Sequence, residues 1–160
     1  MEKPLSMKKS ILCLALPVLL SAAPLFAVED EKPKRTPSPK GAKSYIVLPR
    51  DGRTVNAQFK VVFGIKGMGI CPAGITAGDG QPIPDTGHHH LLVDVEELPP
   101  MDVMLPSDQP ERIMHFGKGQ TETILKLSPG KHTLQLVFAD HAHVPHDPPV
   151  VSEKVTVIVR

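Results

Sequence analysis

From Tyr45 onward, apolar side chains alternate with polar ones at period two in segment after segment, and proline or glycine stands between the segments. Phe59, Val61, Phe63 and Ile65 alternate with Gln58, Lys60, Val62 and Gly64. Leu91, Val93 and Val95 alternate with Leu92, Asp94 and Glu96, and Thr123, Leu125 and Leu127 repeat the spacing. Side chains two apart lie on one face of a strand, so each segment reads as a strand with a buried side. Eighteen prolines and 12 glycines punctuate the chain, and no stretch sustains a helical period. The consequence is an all-β fold.

The number and length of these segments favour a two-sheet, immunoglobulin-like β-sandwich of about seven strands. They begin near Tyr45, Ala57, His88, Ile113, Glu122, His132 and Val151. The Ile113–Phe116 segment is the shortest and reads as the fourth strand. Ser128-Pro129-Gly130-Lys131 is a compact turn that makes a hairpin of its neighbours.

Residues 1–27 read as an export signal. Lys8 and Lys9 precede an apolar run from Ile11 to Leu20, and small residues follow up to Ala27, the expected cleavage point. The run is short for a bilayer span. Leu25 is large for its place two residues before that bond, which leaves an uncleaved anchor as the alternative. A periplasmic or secreted protein with no membrane span after cleavage is the expectation. Removing residues 1–27 leaves 15 basic against 16 acidic side chains, without the clustered basic face of a nucleic-acid binder. Residues 28–43, rich in lysine, proline and glutamate, read as a solvated, disordered linker. The sandwich domain is then 44–160.

Of two cysteines, Cys13 leaves with the signal, so Cys71 has no internal partner and reads as a buried apolar group. No disulfide staples the core.

Six of the eight histidines lie in two clusters, His88-His89-His90 and His141, His143 and His146. Loops between the second and third, fourth and fifth, and sixth and seventh strands of an immunoglobulin-like sandwich emerge at one end. Here those loops abut His88–His90, His115 and the segment from Asp140 to Pro149, so the topology brings the clusters together. Strand parity points His88 and His90 one way and His89 with Leu91 toward the core. The candidate metal ligands are therefore His88, His90, His115, His143, His146 and His141, with Asp140 and Asp94 as acceptors for the second ring proton. Copper or zinc is the ion such a set suits, and Met68 and Met114 as soft donors favour copper. Met101 and Met104 read as apolar loop cover, and His132 as a packing residue. The competing reading is an envelope interaction module whose histidines only order loops at a protein-binding surface.

Enzyme motifs are missing from the sequence. There is no Gly-x-Ser-x-Gly elbow, no His-Glu-x-x-His helix and no glycine-rich phosphate loop. Ser152, in an expected strand, is no nucleophile candidate. The reading is non-enzymatic.

The ordered segments Phe63–Gly69, Thr86–Leu92, His115–Glu122, Gly130–Leu136 and Asp140-x-x-His143-Val144-Pro145-His146-Asp147-Pro148-Pro149 resemble the secreted bacterial family called domain of unknown function 4399. The resemblance covers nearly the whole domain from Tyr45 and implies that the histidine motifs belong to the domain pattern. Cys71 and the stretch 77–84 depart from it.

Overall fold

The computed structural model describes residues 32–160. The expected signal peptide and the first residues of the expected linker lie outside them. The described residues contain ten strands and no helix: β1 (Lys43–Leu48), β2 (Arg53–Val55), β3 (Gln58–Lys66), β4 (Gly69–Ile70), β5 (Thr86–Val93), β6 (Ile113–His115), β7 (Glu122–Lys126), β8 (Gly130–Ala139), β9 (Pro145–Val151) and β10 (Val155–Val159). One sheet has the order β1-β3-β7, and the other β2-β10-β8-β5-β4, with β6 on β5 and β9 on β8. The architecture is a two-sheet immunoglobulin-like β-sandwich.

Period-two patterning builds the core directly. Val61 and Phe63 of β3 and Leu125 of β7 face Leu91 of β5, Leu136 of β8 and Val157 of β10, all buried. Each such side chain stabilises the fold by about 1.5–3 kcal/mol through its removal from water. On the outer face of the small sheet, Lys60 and Glu122 are ion-paired at 2.8 Å, as expected of a wet surface.

Ile158 of β10 is exposed on the outer face of the large sheet, but around β5 and the end of β8 that face is not wet. Leu92, Val137 and Ala139 are buried there too, beneath Leu105 and Ile113. The sequence reading puts Leu92 on a polar side with Asp94 and Glu96. Instead, the chain between β5 and β6 folds back over β5 and β8 and seals them, which is why the outward-pointing histidines are also buried.

Strand assignments shift in three places. The short fourth strand, β6, pairs with β5 in the large sheet. The segment from Asp140 to Pro149, read as a loop, is a tight turn followed by β9 along β8. Ser152, expected inside a strand, occupies the break between β9 and β10, where its Oγ accepts the Leu136 N–H at 2.8 Å. That bond lies between the stretch of β8 paired with β10 and the stretch paired with β9. β2 adds a parallel edge beyond β10.

The linker expectation is also corrected over part of its length. Arg35–Ser38 run along β9 as a strap: Asp147 N–H donates to Thr36 O at 2.9 Å, and Ser38 N–H donates to Asp147 O at 2.9 Å. Arg35 donates to the carbonyls of Pro145 and His146 and pairs with Asp147 at 3.2 Å. These bonds satisfy an edge that would otherwise be open.

Candidate metal centre

Three neighbouring elements of the large sheet bring four imidazoles to one place. β5 carries His88 and His90 on the same face by strand parity. β6 pairs with it so that His115 stands opposite His90. Cross-strand partners project to the same side, so His115 joins them. The turn between β8 and β9 supplies His143, with the N–H of Leu105 bonded to its carbonyl at 3.0 Å.

His88 Nε2 lies 3.2 Å from His115 Nε2, which lies 3.1 Å from His143 Nε2. The ring centroids of His88, His90, His115 and His143 are all 4.6–5.9 Å apart. One ring nitrogen from each of His88, His90 and His115 lies within 4.8 Å of the other two. A tetrahedral ion bound at about 2.0–2.1 Å sets its donor nitrogens about 3.3–3.4 Å apart, close to the two short contacts here. Two of the nitrogen–nitrogen contacts, His88–His115 and His115–His143, thus have the spacing of ligands on one ion.

Their electrostatics point the same way. Burial, with the nearby His143 and His115, pushes His88 down to about 3, and Asp140 opposes this in part. Burial and the other three rings push His90 down to about 2. His115 is lowered by burial and by His143. At neutral pH these three rings are uncharged and offer lone pairs with no proton to displace. Nδ1 of His88 and of His90 is buried without a hydrogen-bond partner. Such orphaned nitrogens carry a desolvation cost that ordinary packing does not return.

The other candidates are placed elsewhere. β9 begins with Pro145 opposite Ala139, which puts Pro145 on the cluster's side and His146 on the far side of the sheet, stacked on Phe138 at 6.0 Å between centroids. His89 also faces Phe138, at 5.0 Å, and Phe63, at 5.2 Å, and burial pushes it down to about 4. His141 holds loops together through its carbonyl, which accepts the Gly74 N–H at 2.8 Å, and its Nδ1 is buried without a hydrogen-bond partner.

Neither carboxylate serves as an acceptor for a ring of the cluster. Asp140 Oδ1 takes the N–H groups of Ala142 at 2.9 Å and Val144 at 3.0 Å, and its Oδ2 takes the Thr36 hydroxyl at 2.5 Å. Asp94 lies past the other end of β5, paired with His132 Nδ1 at 2.7 Å and with Thr133 N–H at 2.8 Å. Met114 packs into the sandwich core, on the opposite face from its neighbour His115. Cys71 is buried and unpaired.

The sequence reading treats Met104 as apolar loop cover, and the structure corrects this. Met104 is 58% exposed and, with Leu105, Pro106 and Pro110, lines a groove of about 360 Å³ that includes His90, His115 and His143. The methionine sits in the long connection between β5 and β6, where no period marks orientation.

A family model described as Domain of unknown function (DUF4399) matches residues 61–160. No curated protein matches the chain. A solved structure titled "Structures of Clostridium thermocellum CbhA fibronectin(III)-like modules" is similar over 74% of this chain and 45% of its own, at 14% identity and a TM-score of 0.32. This chain thus spans less than half the length of that one.

Proposed function

The chain belongs to that family of unknown function, and from the four convergent imidazoles we propose that it is an exported, non-catalytic protein that binds one transition-metal ion through His88, His90, His115 and His143. The observation that carries this is the run of Nε2 contacts at 3.2 and 3.1 Å among His88, His115 and His143, beside a buried His90. A single His115 Nε2 can share a proton with only one of its two neighbours, whereas a cation between the rings engages every lone pair. The donor set has no thiolate and no carboxylate, so an ion keeps its full charge and the site selects metals that favour imidazole.

Among these, copper is the favoured ion. Copper(II) stands highest in the usual affinity order for nitrogen donors, and Met104 in the adjoining groove offers a thioether, a soft donor that suits copper(I). His115 is exposed while His88 and His90 are buried. An ion held this way is reachable from one side, which suits buffering or delivery in the periplasm.

Tag-free full chain, stripped of metal and reloaded with copper(II) or zinc(II), tests the reading by elemental analysis. One ion per chain is the expected result, retained longer as copper. The His88→Ala, His90→Ala double variant should lose it. Metal content near zero in the folded wild type would defeat the proposal and leave the interaction-module reading, in which the histidines order loops for a protein partner.

A further inference from the structure

The turn that presents His143 is not held by the sheet alone. His143 adopts φ +66°, a left-handed conformation that a side chain with a Cβ enters only at a cost, so its surroundings must hold it there. The holding group is Asp140. Its backbone carbonyl accepts the His143 N–H at 3.0 Å, and its Oδ1 accepts the N–H groups on either side of that residue, from Ala142 and Val144. The other carboxylate oxygen is taken by Thr36, from the strap that runs along β9. A continuous hydrogen-bonded path therefore joins the strap, the Asp140 carboxylate, the turn and the His143 ring.

Resting on the metal-binding reading, we propose that Thr36 and Asp140 are positioning residues that couple docking of the strap, residues 35–38, to occupancy of the metal centre. The strap hydroxyl fixes the rotation of the Asp140 carboxylate, the carboxylate fixes the turn, and the turn sets whether His143 can complete the ligand set. Coupling of this kind is reciprocal: whatever docking adds to metal affinity, metal adds to docking. Thr36 is well suited to the role because its backbone carbonyl is itself anchored by the Asp147 N–H, so its hydroxyl arrives in a set place. The strap leads into β1, so loading changes how firmly the strap itself is held on the domain.

The test uses full chain and zinc(II) or copper(II) alone. Thr36→Val keeps the shape of the side chain and removes the hydroxyl. Its metal dissociation constant, measured against a chelator of known affinity, should rise at least about fivefold, the lower end of ordinary coupling, with the fold intact by circular dichroism. In the wild type, metal loading should slow hydrogen exchange at the amides of Ser38 and Asp147, which close only when the strap is docked. Lys60→Met, which removes an ion pair with Glu122 on the outer face of the small sheet and touches neither the strap nor the turn, should leave metal affinity within about twofold. Equal affinity in wild type and Thr36→Val together with unchanged exchange at both amides would overturn the coupling while metal binding itself stands. A wild type that takes up no metal would remove both ideas.

Discussion

Acid should unfold the metal-free domain far sooner than its neutral composition suggests. His88, His89 and His90 are 0–3% exposed, and burial holds them down to about 3, 4 and 2. In the unfolded chain each returns to about 6.5. Between these values the unfolded chain binds protons that the folded chain refuses, so the stability held above pH 6.5 is lost as pH falls through that window. At pH 5 each ring costs about 2 kcal/mol, since 1.5 pH units at 1.36 kcal/mol each separate that pH from 6.5. The result does not depend on the exact folded values, only on their lying below 5. Three such rings cost about 6 kcal/mol, against a total of 5–15 kcal/mol for an ordinary domain. The chain has no tryptophan and one tyrosine, so guanidinium titrations followed by far-ultraviolet circular dichroism are the assay, at pH 7, 6, 5.5 and 5. Stability should fall with a slope steepening toward about 4 kcal/mol per pH unit. A change smaller than about 1 kcal/mol from pH 7 to pH 5 would refute the reasoning, because one neutral buried histidine alone exceeds it.

Other perturbations separate the roles of neighbouring residues. His89→Leu replaces two buried, unpartnered ring nitrogens with apolar surface; it should leave metal uptake intact and reduce the acid slope by about a third, by the same titrations. Gly117→Ala would place a Cβ 2.2 Å from His115 Cε1 and 2.3 Å from its Nε2. The ring must swing out of the cluster, so metal affinity should fall at least about tenfold in a chelator competition while the melting temperature moves little. Asp94→Asn should leave metal content unchanged by elemental analysis, because Asp94 serves His132 at the other end of β5. Asp94 raises the His132 ring above its ordinary range. The stabilisation from that pair is full below pH 6.5 and disappears as pH rises through the raised folded value, so Asp94→Asn should destabilise more at pH 6 than at pH 9.

Strand parity was readable in the chain itself. His88 and His90 had to share a face opposite His89 because pleating alternates side chains whatever the partner strand, and the alternation at β3, β5, β7, β8 and β10 marked the core residues in the same way. The order of strands in an immunoglobulin-like sandwich then brought the ends carrying His115 and His143 to His88 and His90. Parity says nothing about register between strands, and that is where the reading of His146 failed: a ladder with Pro145 opposite Ala139 turns His146 to the far face. Asp140 and Asp94 looked alike as nearby acids, yet one is consumed by backbone N–H groups and the Thr36 hydroxyl, and the other lies past the opposite end of β5. The outer face of β5 could not be known to be buried until the aperiodic connection carrying Leu105 and Met104 folded over it, nor the linker to be a strap until β9 offered it an open edge. Local covalent geometry settles which side of a strand a residue faces; which strands meet, at what register and under which loop is settled only by the energy of the assembled sandwich.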